Sequence, residues 1–562
     1  MKKIWKIIKF YGIWTVPITV GVGYRVALVL TSSKHQEVTA THWMYILLAA
    51  FLICFFIYSD NWTRRKNGKA EDDIKLTDAL DALSMYGRAD EYSYNDGREK
   101  YMYPKVNDAL LVKKEDAHGY IFGEVVGDKE HFVCKDFQDT DGSSTIIVGG
   151  AGSGKTQVTL NYAGLCCKDN SVHTLLADPK GEFSDKVYAV GDNTVLFNPT
   201  KRESKYWGYD PFWNLKNEGP EEDLSTEQEV YTAMKLIATS LIPAGGADSF
   251  WKLSARNLFT GLFIYFYYYR KLQTLPEIVQ AIRSKQISDV IEEVVTNTSG
   301  SSKAYMLVVP FHGLASDTLS GIDGNLAAAI SEYGTDDDII WTLQVARKKF
   351  TPATLLESNV FLNIDLVSMT KLSSMVLLII NQFIAWTLTL PDKSQAPDRK
   401  PIVLLIEELT AFLACIAQAT GTGRIDQLGQ GLRFARSKGV SFICIAQSLS
   451  AIRYAYGGDD NEVEDILTNF QYKYFLQAND PQTQEWLSKA CGVYPKKQVS
   501  YNGDGPKRTR NISYSEASIV RPQDLISLPS TGEAILLSPY GYNRIKKVYA
   551  YQNAYVKDKL NF

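Results

Sequence analysis

The sequence predicts an α/β fold built on a largely parallel sheet, and three features of the chain lead to that prediction. The first is a short apolar run, Thr145–Val148, followed at once by a glycine-rich loop and a helix-like segment. The second is the alternation of strand-like and helix-like runs before residue 200 and again after residue 359, which is typical of parallel sheets. The third is that polar or acidic residues directly follow several of these strands, at the edge where such sheets collect their ligands.

The glycine-rich loop, residues 149–156, reads GGAGSGKT and matches the phosphate-binding pattern G-x-x-x-x-G-K-[ST]. Glycines permit positive φ angles, so that successive backbone N–H groups can point at one phosphate. We expect Lys155 to reach the β- and γ-phosphates of a nucleotide and the Thr156 hydroxyl to bind Mg²⁺. A chance glycine-rich turn is the alternative, and the strand before and helix after the loop argue against it. The predicted nucleotide-binding residues are Gly149, Gly150, Ala151, Gly152, Ser153, Gly154, Lys155, Thr156, Gln157 and Asp178.

Two glutamates, Glu407 and Glu408, directly follow the aliphatic run Ile402–Ile406. In phosphate-loop enzymes one carboxylate at such a strand end joins the Mg²⁺ shell and the next can polarise the attacking water. We therefore predict Glu407 as a metal ligand beside Thr156, and Glu408 as the catalytic base. Asp178 is placed similarly, at the end of the strand-like run 172–177.

Gln447 ends the next strand-like run, 439–446, and could sense the γ-phosphate or orient water. A polar strand terminus without a catalytic role is the alternative. We predict that Arg433 and Arg436 lie in the helix between this strand and the run Ile402–Ile406, and either could serve a neighbouring subunit as an arginine finger. A solvated surface arginine is the alternative for both.

Two apolar runs near the N-terminus, 11–30 and 43–58, predict a hairpin of two membrane helices. Basic residues flank the pair on both outer sides, whereas the connecting segment 31–42 has Lys34 as its one Lys or Arg. This bias predicts that both termini lie in the cytoplasm. The length of the first run argues against a cleavable signal peptide. A buried core helix is the alternative for the shorter second run.

Residues 215–350 contain helix-like segments without strand alternation, and we predict an all-α domain inserted into the α/β domain. Its aromatic run 259–269 is interpreted as core and not as a base-stacking surface. The apolar run 372–390 is interpreted as a buried helix, because strand-like runs flank it. Residues 119–134 predict a pair of short strands, and the basic segment 496–510 predicts a mobile surface loop, with DNA contact as the alternative.

Composition excludes few function classes. The 562 residues carry a formal net charge of −3 and are 45% hydrophobic, as in an ordinary globular protein of two or three domains. This charge neither indicates nor excludes a nucleic-acid partner, because a basic channel can lie in a neutral protein. The seven cysteines form no C-x-x-C pair and the six histidines are scattered, so we predict reduced thiols and no metal cluster of these residues.

The order of these motifs resembles the TraG/TraD-type coupling proteins of conjugative type IV secretion systems. The resemblance lies in the phosphate loop, DPKGE at 178–182, LLIEEL at 404–409, GLRFARSKGVSFICIAQSLSAIRYAYG at 431–457, ILTNFQYKYFLQANDPQTQEWLSKACG at 466–492 and RPQDLISLPSTGEAILL at 521–537. It implies a RecA-like motor domain with an inserted all-α domain, preceded by two transmembrane helices. The implied divisions are a membrane anchor (1–66), a linker with leading strands (67–137), the nucleotide-binding domain in two parts (138–214 and 351–562) and the insert (215–350).

The resemblance also implies a hexameric ATPase of the inner membrane whose soluble part lies in the cytoplasm, with ATP and Mg²⁺ as cofactors. Implied partners are a relaxase–DNA complex or another secreted substrate, single-stranded DNA and the proteins of the secretion channel. By this resemblance Lys155 and Thr156 bind nucleotide and Mg²⁺, and Glu407 and Glu408 form the acidic pair. Gln447 would then be the sensor and Arg436 the finger. The family usually has Asp where this chain has Glu407.

Two other functions remain open from the sequence. One is a related motor that pumps double-stranded DNA or assembles a pilus or channel. The other is a docking platform that binds nucleotide without hydrolysing it. The two-helix anchor and the DPKGE block favour the coupling protein over the first, and the set of candidate catalytic groups argues against the second.

Overall fold

The computed structural model describes residues 98–137, 144–188, 193–243, 249–344, 348–420, 425, 427–456, 460–502 and 509–560. The predicted membrane helices 11–30 and 43–58, and with them the whole predicted anchor 1–66, lie outside these residues.

Nine of the described strands form one sheet, which carries the candidate site. The strands are, in chain order, β1 (Leu111–Lys113), β2 (Tyr120–Gly123), β3 (His131–Lys135), β4 (Thr145–Val148), β5 (His173–Ala177), β6 (Thr194–Phe197), β7 (Gly208–Tyr209), β8 (Lys349–Phe350), β9 (Asn359–Leu362), β10 (Ile402–Ile406), β11 (Val440–Ala446), β12 (Tyr472–Phe475), β13 (Val493–Asn502), β14 (Thr509–Ser518), β15 (Glu533–Ser538) and β16 (Gly541–Lys546). The large sheet has the order β16-β15-β12-β4-β11-β10-β5-β9-β6. Every pair from β12 to β6 is parallel, and β15 and β16 add antiparallel strands at one edge. The predicted α/β fold is confirmed.

Helices connect the parallel strands. In chain order they are α1 (Glu99–Met102), α2 (Lys155–Tyr162), α3 (Glu182–Val187), α4 (Glu227–Leu241), α5 (Ser249–Ile264), α6 (Leu275–Arg283), α7 (Ile287–Asn297), α8 (Lys303–Val308), α9 (Ser316–Thr335), α10 (Asp337–Gln344), α11 (Leu366–Thr389), α12 (Leu409–Thr420), α13 (Leu428–Phe434), α14 (Leu449–Ala455), α15 (Asp460–Asn469), α16 (Pro481–Ala490), α17 (Pro522–Ile526) and α18 (Leu528–Thr531). A π-helical turn extends α2 through Ala163–Cys167, and another extends α5 through Tyr265–Tyr269.

The sheet is buried on both faces, which is why its strands read as continuous aliphatic runs. In β10, Leu404 faces an apolar cluster that includes helices α4–α10, whereas Val403 and Leu405 face a second cluster that includes α2. Successive side chains of a strand point to opposite faces, so every residue of β10 is buried.

Helices α4–α10 lie between β7 and β8, which pair with each other in parallel. The aromatic run at the end of α5 belongs to the core, since Phe259 and Phe263 are fully buried and Tyr265, Phe266 and Tyr267 are at most 5% exposed. The interpretation of this run as core is therefore confirmed. Tyr269, near its end, is the one aromatic side chain of residues 259–269 that is more than one-third exposed.

Helix α11 is, among the described helices, the one that is long and apolar enough to cross a membrane. It lies instead inside the protein, with 78% of that apolar stretch buried. Polar side chains tie it to its neighbours: Gln382 accepts from the Tyr209 hydroxyl at 2.5 Å and donates to the Pro211 carbonyl at 2.8 Å. The prediction of a buried helix is confirmed.

The segment 496–510 is not the predicted mobile loop, at least over its described residues. Strands β13 and β14 form a two-stranded hairpin with ten paired positions, from Val493 opposite Ser518 to Asn502 opposite Thr509. The described residues of the segment are paired strands and not a loop, despite their charge. Residues 503–508 lie outside the described residues.

The predicted pair of short strands at 119–134 is confirmed as β2 and β3, and β1 adds a third strand to this small sheet. It joins the edge of the large sheet, because Glu124 and Lys546 exchange both backbone hydrogen bonds at 2.8 Å. Phe122 and Tyr120 pack with α2 in the second apolar cluster.

Candidate functional site

The glycine-rich loop joins the carboxyl end of β4 to the first turn of α2. Gly149 N donates to Ala446 O of β11 at 3.1 Å, which anchors the start of the loop to the neighbouring strand. Gly152 and Gly154 have φ angles of +75° and +95°, a left-handed conformation that favours glycine. Ala151 and Gly152 lie exposed at the crest of the loop, whereas Ser153 is buried. The backbone thus has the form that the phosphate-binding pattern predicts.

The last two residues of the loop, Lys155 and Thr156, direct their side chains to different partners. Lys155 donates its ammonium group to the carbonyls of Gly149 and Gly150 at 2.7 and 3.0 Å, so it lies across the loop. Burial lowers the pKa of Lys155, and Lys180 lowers it further, against the opposing effect of the nearby glutamates. Thr156 directs its hydroxyl towards Glu407, with 3.4 Å between Oγ1 and Oε1.

A lysine that sequence reasoning missed lies directly beneath the loop. Lys547, one residue after β16, is 5% exposed and donates to the carbonyls of Ser153 and Leu476 at 3.1 and 3.0 Å. Burial lowers its pKa to about 8. This ammonium group therefore adds positive charge behind a loop that is suited to an anion.

Glu407 and Glu408 follow β10 at the same edge of the sheet, two strands away from β4 in the order β4-β11-β10. Glu407 is 2% exposed. Burial, and secondly the neighbouring Asp178, raise the pKa of Glu407 to about 9. The structure thus brings the predicted metal ligands Thr156 and Glu407 together.

Asp178 lies at the end of β5, as predicted, but it contacts Glu407 and the start of α3. It is fully buried, and its Oδ2 accepts from the backbone N–H and the hydroxyl of Ser184, both at 2.7 Å. Its Oδ1 and Oε2 of Glu407 receive no N–H or O–H donor from the described residues, and the two carboxyl groups interact with each other. A shared proton or a bound cation would satisfy both oxygens.

This oxygen-rich corner fits a magnesium ion. Mg²⁺ prefers oxygen ligands and is usually held by one or two protein groups together with waters and substrate phosphates. The Thr156 hydroxyl and the Glu407 carboxylate would supply those protein oxygens, and the donor-free Oε2 of Glu407 is the observation that supports the fit.

Glu408 is held in a fixed orientation by its backbone and by both of its carboxylate oxygens. Its φ angle is +57°, which is uncommon for a residue other than glycine. Lys180 contacts Oε2 at 3.1 Å and Thr410 donates to Oε1 at 3.3 Å. Lys180 also lies 3.9 Å from Glu407 Oε1. Burial alone would lower the pKa of Lys180, but the two glutamates outweigh it and raise that pKa.

Sequence reasoning did not assign Lys180 a role, although it lies within the DPKGE block. Its position two residues after Asp178, in the turn that follows β5, is the signal that could have identified it. The block as a whole therefore contributes two side chains to the acidic pair: Asp178 contacts Glu407, and Lys180 contacts both glutamates.

Gln447 follows β11, which lies between β4 and β10, and its side chain is exposed at the same edge of the sheet. Arg436 lies elsewhere. It is exposed in a 3₁₀ turn, Arg436–Lys438, that precedes β11, so it is at the amino edge of the parallel strands, opposite its own phosphate loop. Arg433 pairs with Asp465. Within one protomer the structure brings Gln447 to the site and leaves Arg436 away from it.

Comparison with known proteins gives a consistent family. The family described as "Type IV secretory system Conjugative DNA transfer" matches residues 105–561. The "Probable conjugal transfer protein TraG" of Sinorhizobium fredii (strain NBRC 101917 / NGR234) is 22% identical over 420 residues, which cover 72% of this chain and 61% of that protein. "Protein VirD4" of Agrobacterium fabrum (strain C58 / ATCC 33970) is 23% identical over 401 residues, 67% of this chain and 54% of that protein. This chain thus spans between half and two thirds of these relatives.

Among solved structures, the unbound monoclinic form of the bacterial conjugative coupling protein TrwB superposes with a TM-score of 0.55. It is 17% identical, and the match covers 82% of this chain and 94% of that one. The plasmid coupling protein TrwB in complex with ADP and Mg²⁺ gives a TM-score of 0.54 at 16% identity, over 81% of this chain and 91% of that one. At these identities the superpositions establish a shared fold. With the family match over residues 105–561, they show that this chain belongs to the type IV secretory system conjugative DNA-transfer family.

Proposed function

We propose that this protein is an ATP-hydrolysing coupling protein of a conjugative type IV secretion system, which delivers DNA–protein substrates to the secretion channel. The observation that carries the proposal is the arrangement at one sheet edge. A phosphate loop after β4 lies beside a pair of buried glutamates after β10, with Thr156 Oγ1 3.4 Å from Glu407 Oε1. This is the arrangement that phosphoryl transfer requires, since catalysis there depends mainly on positioning and on electrostatic stabilisation.

In the proposed reaction, Lys155 exchanges the carbonyls of Gly149 and Gly150 for oxygens of the β- and γ-phosphates. A water molecule then attacks the γ-phosphorus, the bond from this atom to the bridging oxygen of ADP breaks, and Glu408 accepts the proton of the water. Lys180 and Thr410 keep the Glu408 carboxylate oriented for that transfer.

Glu407 and Thr156 are the proposed ligands of the magnesium ion that accompanies ATP, and Asp178 orients Glu407. When bound, such an ion neutralises charge that develops on the phosphate oxygens. Gln447 is proposed to orient the attacking water or to sense the γ-phosphate, since it lies exposed beside the loop. Arg436 is proposed to reach the site of a neighbouring subunit, because it lies at the edge opposite its own loop.

The remaining parts of the proposal rest on membership of the family. The protein is proposed to be anchored in the inner membrane by the segments 11–30 and 43–58, with the described part in the cytoplasm, and to assemble as a hexamer. Its proposed partners are a relaxase–DNA complex or another secreted substrate, single-stranded DNA and the channel proteins. The curated relatives are named for conjugal transfer or as VirD4, which supports this assignment.

The test is ATP hydrolysis by the full chain in detergent, with and without single-stranded DNA, beside the variant Glu408→Gln. We expect turnover that DNA stimulates, and a loss of at least about 100-fold in kcat in the variant, because removing a general base typically costs 10²–10⁴-fold. Binding of ATP should persist in Glu408→Gln, since the described hydrogen bonds of the Glu408 carboxylate go to Lys180 and Thr410, outside the loop. An active Glu408→Gln variant would contradict its role as base.

Two further outcomes separate the alternatives. Hydrolysis that ignores DNA would direct attention to protein substrates or to an assembly motor. Nucleotide binding with no hydrolysis, also in membranes with partner proteins, would favour the docking platform.

A further inference from the structure

The chain that follows β16 runs alongside the phosphate loop and contacts it at two points. Lys547 supports Ser153 from below. Tyr549 lies against Gly154: a Cβ at that glycine would come within 2.6 Å of Tyr549 Cε1. A side chain at position 154 therefore has no room beside this ring. This close approach favours glycine at position 154, as does the φ angle of +95°.

This tail is also held against the end of α2 and its π-helical extension. Asn161 of α2 donates to the Val548 carbonyl at 2.8 Å, and Asn553 donates back to Asn161 Oδ1 at 2.8 Å. Further along, a Cβ at Gly164 would lie 2.6 Å from Val556 Cγ1. The position of Tyr549 relative to the loop is therefore set by several independent contacts.

Tyr549 belongs to a pair of nearly parallel rings. Its ring centroid is 5.8 Å from that of Tyr551, and the two ring planes differ by 11°. Tyr551 is 51% exposed, whereas Tyr549, whose ring edge lies against Gly154, is partly buried. These two parallel and at least partly exposed rings form an aromatic wall beside Gly154, the last glycine before Lys155.

The orientation of a nucleotide bound to the loop would place its base near this wall. In a phosphate loop the terminal phosphates lie on Lys155 and in the N–H cradle, and the phosphate nearest the sugar lies at the first turn of the helix. The sugar and base must then leave the loop beside Gly154 and the start of α2. We propose that Tyr549 and Tyr551 form the wall against which the nucleotide base stacks.

The proposal rests on the proposed function, since it assumes that a nucleoside triphosphate occupies the loop. It adds a prediction about base selectivity. Stacking uses the π face that all bases share, so this wall favours any purine nucleotide over a bare phosphate chain and distinguishes weakly between adenine and guanine.

The test compares three ligands on the full chain in detergent: ATP, GTP and inorganic tripolyphosphate, each with Mg²⁺. The variants are Tyr549→Ala, Tyr551→Ala and their Phe counterparts. Tyr540→Ala is the control, because Tyr540 is 49% exposed in the turn between β15 and β16, at the opposite end of these strands. Kd values are measured by isothermal titration.

We expect at least one Ala variant to bind both ATP and GTP about 10-fold more weakly, within the range that loss of a base–aromatic stack produces. Affinity for tripolyphosphate should stay the same, the Phe variants should retain wild-type affinity for all three ligands, and Tyr540→Ala should resemble the wild type.

Two results would overturn the proposal. Equal weakening of ATP and tripolyphosphate would show that the tyrosines only support the loop, and unchanged ATP binding in both Ala variants would show that the base lies elsewhere. If the wild type binds neither ATP nor tripolyphosphate, the proposed function fails and the base wall fails with it. That outcome can be distinguished from failure of the base wall alone, because it is seen in the wild type before any variant is compared.

Discussion

At the scale of single residues, Glu408 combines an unusual backbone with a fully engaged side chain. A φ of +57° in a residue that is 4% exposed raises the free energy of the folded state at an ordinary strand terminus. Two contacts stabilise this conformation, one from Lys180 and one from Thr410. Strain that is maintained in this way is characteristic of residues whose geometry serves a function, which supports Glu408 as the base.

Lys180 provides the first residue-scale prediction. Replacing Lys180 with Met removes the cation that orients Glu408, and we expect kcat for ATP hydrolysis to fall by about 10-fold or more, since hydrogen bonds to charged groups contribute about 1.5–3 kcal/mol. KM for ATP should change less, because the described contacts of the Lys180 ammonium group are with the acids and not with the loop. Steady-state kinetics measures both.

Lys180→Arg and the exposed-site control Lys201→Met complete this experiment. The arginine can still pair with the two carboxylates, so it should restore part of kcat, and the control should behave as the wild type. Equal losses in the Arg and Met variants, together with a lowered thermal midpoint, would argue for a purely structural role.

Lys547 provides a pH prediction. Burial lowers its pKa to about 8, so between about pH 8 and the ordinary lysine value of about 10.4 the unfolded chain binds more protons at this group than the folded chain. Its contribution to the free energy of unfolding therefore rises with pH across that window. Below pH 8 the lysine is charged in both states, and the full cost of burying the charge is present.

The expected result is that the difference in thermal midpoint, wild type minus Lys547→Met, shifts in favour of the wild type between pH 7 and pH 9.5. Differential scanning fluorimetry measures it. Lys546→Met, which removes the exposed lysine next to it, serves as the control. A difference that stays constant or shrinks over this range would contradict a charged lysine buried beneath the loop.

At the scale of elements, α11 illustrates how an apolar helix is kept inside the protein. Leu, Ile and Val residues alone would suit lipid as well as a protein core. Gln382 bonds Tyr209 and Pro211, and Asn381 donates to Ser240 at 3.2 Å. These buried amides hydrogen-bond to Ser240 in α4, to Tyr209 in β7 and to the Pro211 carbonyl. The bonds fix the position of α11 relative to α4 and β7.

We predict that Gln382→Leu lowers the free energy of unfolding by about 1–3 kcal/mol, because it leaves the buried Tyr209 hydroxyl and Pro211 carbonyl without their partner. Denaturant titration of the full chain in detergent measures the effect. Gln228→Leu, on the exposed face of α4, is the matched control and should be nearly neutral. Equal stability of the two variants would mean that these hydrogen bonds contribute nothing net.

At the scale of the whole molecule, the proposed role of Arg436 as a finger requires an assembly. Its 3₁₀ turn precedes β11, while the phosphate loop follows β4, which is parallel to β11. The two groups therefore lie at opposite edges of one sheet and cannot meet within a protomer. A head-to-tail contact between protomers would bring them together, and such contacts close into rings when the rotation permits.

A mixing experiment tests this arrangement. Arg436→Ala and Lys155→Ala should each lose most ATP hydrolysis, the former by about 10³-fold if it is a finger. Mixed and reassembled in equal amounts, they should recover hydrolysis, because roughly a quarter of the sites would pair an intact loop with an intact arginine from the next subunit. No recovery in assemblies that demonstrably contain both variants would contradict a finger supplied in trans.

Much of the site could be predicted because its signals are local in the chain. The phosphate loop, the glutamate pair and Gln447 each directly follow an aliphatic strand, and parallel strands bring such positions to one edge. The interpretation of α11 as buried was also available, from the strands that flank it. The hairpin β13–β14 was missed, since its charged residues obscured a pairing that only the backbone register reveals.

The sequence by itself thus determined the fold class, the family and the edge of the sheet that carries the chemistry. Tertiary structure alone decided which groups support that chemistry. Lys547 and Ser153 meet across 394 positions of the chain, and Lys180 reaches Glu408 across 228. Contacts between residues this far apart in the sequence depend on the strand order of the sheet and on which loops that order brings together. The physical reason is that a local pattern specifies an element, whereas a buried charge is stabilised by whichever partners packing brings to it.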